Sequence, residues 1–245
     1  DQVLTATTGS WTPAAEGASV QWYADGVAIP GATRWMMRLT QPQIDKQITA
    51  TVIARTTAYR PMKVTSAATA PVIAGTIAVT RPFAVRGRTV VGGTLTVTPG
   101  AFEPSDAQVT YTWLRNGVPI AGANGSSYRV GPADVGRRVS LRVDLARATY
   151  RSASQAVGIP GPVTTVPDLR VFAKGRPEAA LVIVRVTAPG VAHPAGKVTI
   201  KIGRRSVVTK VVDGRARVRL DDLRKGPKTV VVRYSGTNFI QRTFA

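Results

Sequence analysis

Along the middle of the chain, apolar and polar positions alternate with a period of two. Leu95 and Val97 stand among threonines, Val109, Tyr111 and Trp113 alternate with Thr110 and Thr112, and Val139, Leu141 and Val143 alternate with Ser140, Arg142 and Asp144. Period two in β-branched and aromatic residues predicts half-buried strands. No segment holds a helical period. Asp25-Gly26 and Asn116-Gly117 fall between such runs. These dipeptides accept the positive φ values of a type I′ hairpin turn.

The two turns belong to an internal repeat without gaps. Trp22 aligns with Trp113, an offset of 91 residues, and the same offset pairs Leu4 with Leu95, Gly9 with Gly100, Ile29 with Ile120, Tyr59 with Tyr150 and Pro71 with Pro162. A unit of about 90 residues exceeds a solenoid repeat and matches one β-sandwich domain. A tryptophan on the central strand of a sandwich fills the space between the sheets. Trp22 and Trp113 are therefore read as core, and Trp11, which aligns with Phe102, as packed. Trp35 aligns with Ser126, lies outside the repeat's core and is the candidate aromatic contact residue of the first domain.

The segment Trp113-Leu-Arg-Asn-Gly-Val-Pro-Ile-Ala-Gly-Ala123, with Leu95-Thr-Val-Thr-Pro-Gly100 and Pro132-Ala-Asp-Val-Gly136, resembles immunoglobulin-like repeats of actinobacterial secreted and surface proteins. Trp22-Tyr-Ala-Asp-Gly-Val-Ala-Ile-Pro-Gly-Ala-Thr33 carries the same pattern, but Gln43 and Asp45 replace Asp134 and Gly136, which puts that turn of the first repeat in question. The last third reads as five short strands, Val182–Val186, Val198–Ile202, Val207–Val212, Ala216–Leu220 and Thr229–Val232, with a hairpin turn at Asp213-Gly214. Val186-Thr-Ala-Pro-Gly190 and Tyr234-Ser-Gly-Thr-Asn-Phe239 resemble a second bacterial immunoglobulin-like family.

The expected architecture is all-β: three tandem immunoglobulin-like antiparallel β-sandwich domains. They cover residues 1–72, 73–163 and 164–245, the third from a different, more basic family. The joints Thr69–Gly75 and Gly158–Val163 are short and rich in proline, glycine or alanine, so they are expected to be semi-rigid. The first domain shows no counterpart of residues 71–94, and the chain opens at Asp1 without a leader. The expectation is a processed or trimmed chain whose first domain lacks its first strand, completed by a neighbouring segment or subunit.

Composition adds one unusual property. The formal net charge is +20 over 245 residues, and it grows along the chain: +2 over residues 1–74, +6 over 75–163 and +12 over 164–245. In the third domain Ala216, Val218 and Leu220 alternate with Arg215, Arg217 and Arg219, so the three arginines share the face opposite the core. Lys201 and Arg233 are placed on strands expected to neighbour this one. These five residues form the candidate anion-contact face. Its candidate partners are an anionic cell-wall polymer or an acidic protein surface. Nucleic acid is disfavoured, because no aromatic interleaves the arginines in sequence.

The remaining chemistry is sparse. The chain has no cysteine, which excludes disulfides and thiolate chemistry. Its one histidine, His193, has no acidic residue beside it in sequence and no Gly-x-Ser-x-Gly elbow to serve. Asp213, Asp221 and Asp222 form the only acidic cluster, with Arg224 and Lys225 adjacent, and read as paired turns in preference to a calcium site. No phosphate-cradling glycine motif and no apolar run of membrane-spanning length occurs. No catalytic, cofactor or metal residue is assigned. The expected role is a non-catalytic structural or adhesive stalk of a larger secreted or cell-surface protein. The alternatives are an accessory region of a secreted hydrolase whose catalytic domain lies elsewhere, or a decoration domain of a phage or extracellular filament.

Overall fold

The structure is a computed structural model that describes residues 2–245. It is all-β, with two short 3-10 turns and no α-helix among the described residues. It packs as two compact units. One holds the described residues through Val79 with Phe102–Val109 and Leu145–Ala153; the other holds Thr80–Ala101, Thr110–Asp144 and Ser154–Ala245.

The first sandwich contains β1 (Val3–Thr5), β2 (Gly17–Ala24), β3 (Val27–Ala28), β4 (Met36–Arg38), β5 (Ile48–Arg55) and β6 (Met62–Thr65). One sheet has the order β3-β2-β5-β6, and β1 pairs antiparallel with β4 opposite it. Alternation along β2 buries Val20, Trp22 and Ala24 against Ile48, Ala50 and Val52 of β5.

The following segment supplies β7 (Gly75–Thr76), β8 (Ala78–Arg81), β9 (Ala84–Gly87), β10 (Thr94–Thr98), β11 (Ala101–Glu103), β12 (Gln108–Arg115), β13 (Val118–Pro119), β14 (Ser127–Arg129), β15 (Val139–Ala146), β16 (Tyr150–Arg151) and β17 (Ala153–Gly158). The second sandwich faces the three-stranded sheet β14-β10-β9 with the four-stranded sheet β13-β12-β15-β17. Trp113 is fully buried and stacks on Tyr128, with ring centroids 5.5 Å apart.

The third sandwich contains β18 (Asp168–Arg176), β19 (Ala179–Thr187), β20 (Gly196–Ile202), β21 (Arg205–Val211), β22 (Arg215–Leu220), β23 (Val230–Tyr234) and β24 (Thr243–Phe244). Its sheets are β18-β19-β22 and β21-β20-β23-β24. Val182, Val184, Val186, Ala216, Val218 and Leu220 of the first sheet face Val198, Ile200, Ile202, Val232 and Tyr234 of the second. The sequence reading missed β18. Its inward residues Leu169 and Val171 are only half-buried, and Gly175 interrupts its alternation.

The 91-residue repeat holds in detail. Trp22 Nε1 donates to the Arg34 carbonyl and Trp113 Nε1 to the Gly125 carbonyl, 2.8 and 2.9 Å. Asp25 and Asn116 take positive φ in matching hairpin turns, and their side chains accept from the backbone N–H of Gln47 and Arg138. Asp213 and Gly214 form a third turn with φ of 47° and 70°. The questioned turn of the first repeat is kept. Gln41–Gln43 forms the same 3-10 turn as Pro132–Asp134, and Gln43 Oε1 accepts from the Thr40 N–H as Asp134 Oδ2 accepts from the Gly131 N–H. Asp45 adopts φ 64° where Gly136 has 75°.

Candidate functional site

Strand β22 projects its side chains as alternation requires: Arg215, Arg217 and Arg219 are exposed, and the three apolar residues between them are buried. The register of the sheet then builds a larger face than the sequence showed. Arg215 lies opposite Arg185 on β19, and Arg185 lies opposite Arg170 on β18. The next rows are Arg217, Ile183 and Phe172, then Arg219, Leu181 and Lys174. Directly opposed side chains stand about 5 Å apart at Cβ, and like charges so placed destabilise a sheet by up to about 1 kcal/mol per pair. Asp168 and Asp221 relieve this locally, through ion pairs of 3.4 Å to Arg170 and 2.8 Å to Arg219. Exposed pairs of this kind are worth little. Phe172 is 54% exposed and sits on the same face as the arginines. The absence of an aromatic among the basic residues, on which nucleic acid was disfavoured, therefore does not hold for the folded face.

Lys201 and Arg233 do not join this face. They lie on β20 and β23, in the opposite sheet, and both are exposed on its outer side. Alternation fixes whether a residue points in or out; it does not fix to which sheet a strand belongs. Their neighbours there are Lys197, Lys210 and Phe244, so a second basic surface covers the other side of the sandwich.

Trp35 is not a freely exposed contact residue. It is half-buried and packs against the Trp22 core, with its carbonyl accepting from the Ala6 N–H. His193 and Asp213, twenty residues apart in sequence, meet at 3.0 Å in the turn region, with His193 80% exposed. The acidic cluster disperses: Asp213 takes His193, Asp221 takes Arg219, and Asp222 takes Arg205. Among the described residues, no group of three or more His, Cys, Asp or Glu converges on a point that could hold a metal ion.

Two arrangements escaped the sequence reading. The first is a buried network in the second sandwich. Asp134 is fully buried; its carboxylate accepts from Arg115 Nε at 2.6 Å, Tyr128 Oη at 2.7 Å and the Gly131 N–H at 2.7 Å. The bond to Asp134 holds the Arg115 guanidinium even more firmly protonated, and burial, with Asp134, pushes the Tyr128 phenol above its ordinary value. At the equivalent positions the first sandwich carries Ala24, Met37 and Gln43, which need no carboxylate.

The second is the joint between the second and third sandwiches. Val163, Thr164 and Thr165 make successive parallel bridges, to Val135, to Val90 and to Ile240. The Gly136 N–H donates to Val163, the Val91 N–H to Thr164, and the Thr165 N–H to Phe239. Val163 and Thr165 are fully buried. Gly190 completes the seam. A Cβ there would come within 2.2 Å of the Pro132 carbonyl oxygen, and its φ is +81°. Phe239 lies over Gly136.

No family model matches the chain, and no curated protein matches it. Among solved structures it is similar to a Ca²⁺-stabilised adhesin that helps an Antarctic bacterium reach out and bind ice, at 17% identity and a TM-score of 0.30, over 94% of this chain. This chain spans 64% of that adhesin chain. It is also similar to three N-terminal domains of the bacteriophage RB49 highly immunogenic outer capsid protein, at 13% identity, a TM-score of 0.29, and coverage of 95% and 86% of the two chains. The FN1–FN3 domains of chicken CNTN1 follow at 12% identity, a TM-score of 0.23, and coverage of 89% and 82%.

Proposed function

We propose that this chain is a non-catalytic structural and adhesive region of a bacterial secreted or cell-surface protein, of the kind its repeat motif resembles. It spaces its sandwiches through a braced joint and offers the basic face of β18, β19 and β22 to an anionic surface polymer. The observation that carries the adhesive part is the row Arg170, Arg185 and Arg215, aligned across three adjacent strands. Such a row is unfavourable by itself and becomes favourable when phosphate or carboxylate groups lie along it. Arginine suits that task because its planar fork donates two parallel hydrogen bonds. The row of Phe172 and Ile183 beside it suits a ligand with some apolar surface. The joint at residues 163–165 supports the spacing part, since a spacer must keep its modules apart at a set distance.

The test is retention on an immobilised poly(glycerol phosphate), with a single-stranded oligonucleotide as comparator. Retention should fall as salt rises, because exposed charges are largely screened beyond about 10 Å at 0.1 M. Changing Arg185, Arg215 and Arg217 to serine should release the protein at lower salt with its β-sheet spectrum intact. Equal retention of the variant rejects this face. Preference for the oligonucleotide rejects the polymer.

A further inference from the structure

The third sandwich is basic on both of its outer surfaces. Strands β18, β19 and β22 place Arg170, Arg185, Arg215, Arg217, Arg219 and Lys174 on one side. Strands β20, β21 and β23 place Lys197, Lys201, Lys210 and Arg233 on the other. The buried residues of both sheets fill the space between, so the two sets of cations point away from each other. Stacked sheets lie about 10 Å apart, and the charged ends stand further out on either side.

The second surface carries the less compensated charge. On the first, Asp168 and Asp221 pair with Arg170 and Arg219. Strands β20, β21, β23 and β24 contain no Asp or Glu. Their register also crowds the cations. Lys197 lies directly opposite Lys210, and Arg233, opposite Thr199, has Lys197 and Lys201 as its diagonal neighbours. Like charges directly opposed destabilise a sheet, and diagonal neighbours about 7–8 Å apart remain within reach of long side chains. Solubility alone favours a surface on which both signs are interspersed. A face of one sign, with its cations in register, is complementary to a polyanion.

We infer that the third sandwich is a two-faced cross-linker: each face takes its own strand of an anionic polymer, so that one chain joins two strands. This rests on the reading of the β18-β19-β22 face given above and adds a second, independent face. A short segment seated on one face cannot touch the other through the core. The two faces differ in chemistry. The first is mainly arginine, whose planar fork holds a phosphate by two hydrogen bonds; the second is mainly lysine, a hydrated point charge without that geometry. The lysine face therefore releases its strand at lower salt.

The test uses the full chain and short oligo(glycerol phosphate), one batch carrying a donor fluorophore and another an acceptor. At low salt one chain should bind two oligomers and bring donor and acceptor together. Changing Lys197, Lys201 and Lys210 to serine should leave one oligomer bound and abolish the energy transfer. Changing Arg185, Arg215 and Arg217 to serine should do the same, and the oligomer that remains should leave at lower salt. All six side chains are exposed, so Tm should hold. Changing the exposed Arg86, Arg88 and Arg129 of the second sandwich to serine removes the same charge and should leave two oligomers bound. One oligomer per wild-type chain overturns the inference. If the lysine variant then still binds one, the second face is at fault; if it binds none, the β18-β19-β22 reading is. Equal loss in the Arg86, Arg88 and Arg129 variant also overturns it, because net charge and not the two faces would then hold the polymer.

Discussion

Replacing Asp134 measures how the second sandwich is specified. Asp134→Ala removes one buried acceptor shared by three donors. The Tyr128 hydroxyl and the Gly131 N–H each lose a partner, at about 1–3 kcal/mol apiece. Arg115 loses a charge partner, but its side chain is 26% exposed and recovers water, so its share is discounted. The expected cost is about 3 kcal/mol, at the lower end of what removing one partner of a buried pair costs. The first repeat supplies the control. With Ala24, Met37 and Gln43 it builds the same turn without a charge. Asp134→Gln should therefore cost about 3 kcal/mol in the wild-type background and under about 1 kcal/mol when Arg115→Ala and Tyr128→Met are already present. Amide hydrogen exchange at Leu141 and Val143 reads the local stability of this sandwich without assuming that the whole chain unfolds in one step. Additive costs across the cycle would refute the network as a unit.

Further outcomes follow from single sites. Trp113→Ala should cost about 3–5 kcal/mol by the same exchange measurement, because it empties the centre of the second sandwich. Thr165→Val should raise stability by about 1 kcal/mol, since the Thr165 hydroxyl is buried without a hydrogen-bond partner; a loss of stability would show that the hydroxyl is satisfied in solution. Burial raises the phenols of Tyr128 and Tyr234 in the folded chain. Their contribution is therefore complete below the unfolded value near 10 and is lost as pH rises through the folded value. Urea midpoints should be flat from pH 8 to 9.5 and fall above pH 10, and a flat profile to pH 11.5 would contradict this.

The repeat made much of the fold legible. Tryptophan, hairpin dipeptide and alternating strands recur at one offset, and each is a local signal with a local cause. The site was legible only in part. Arg215, Arg217 and Arg219 share a strand, so alternation placed them correctly on one face. Arg170, Arg185 and Phe172 join them through register, and register depends on pairings across the sheet. Lys201 and Arg233 were assigned to the wrong sheet for the same reason. Trp35 lacked an aligned aromatic, yet a large apolar ring beside a core covers it whether or not the repeat asks for one. The joint was visible as a proline-bearing segment; its bridges, two to the second sandwich and one to the third, are tertiary and left no periodic trace.

The claim that the second and third sandwiches form one braced spacer is tested most directly by residual dipolar couplings measured on both, in the wild-type chain and in Gly190→Val. One alignment tensor should fit both sandwiches in the wild type, and two should be needed in the variant, where the new side chain forces the seam at Pro132 apart. Two independent tensors in the wild-type chain would contradict the account.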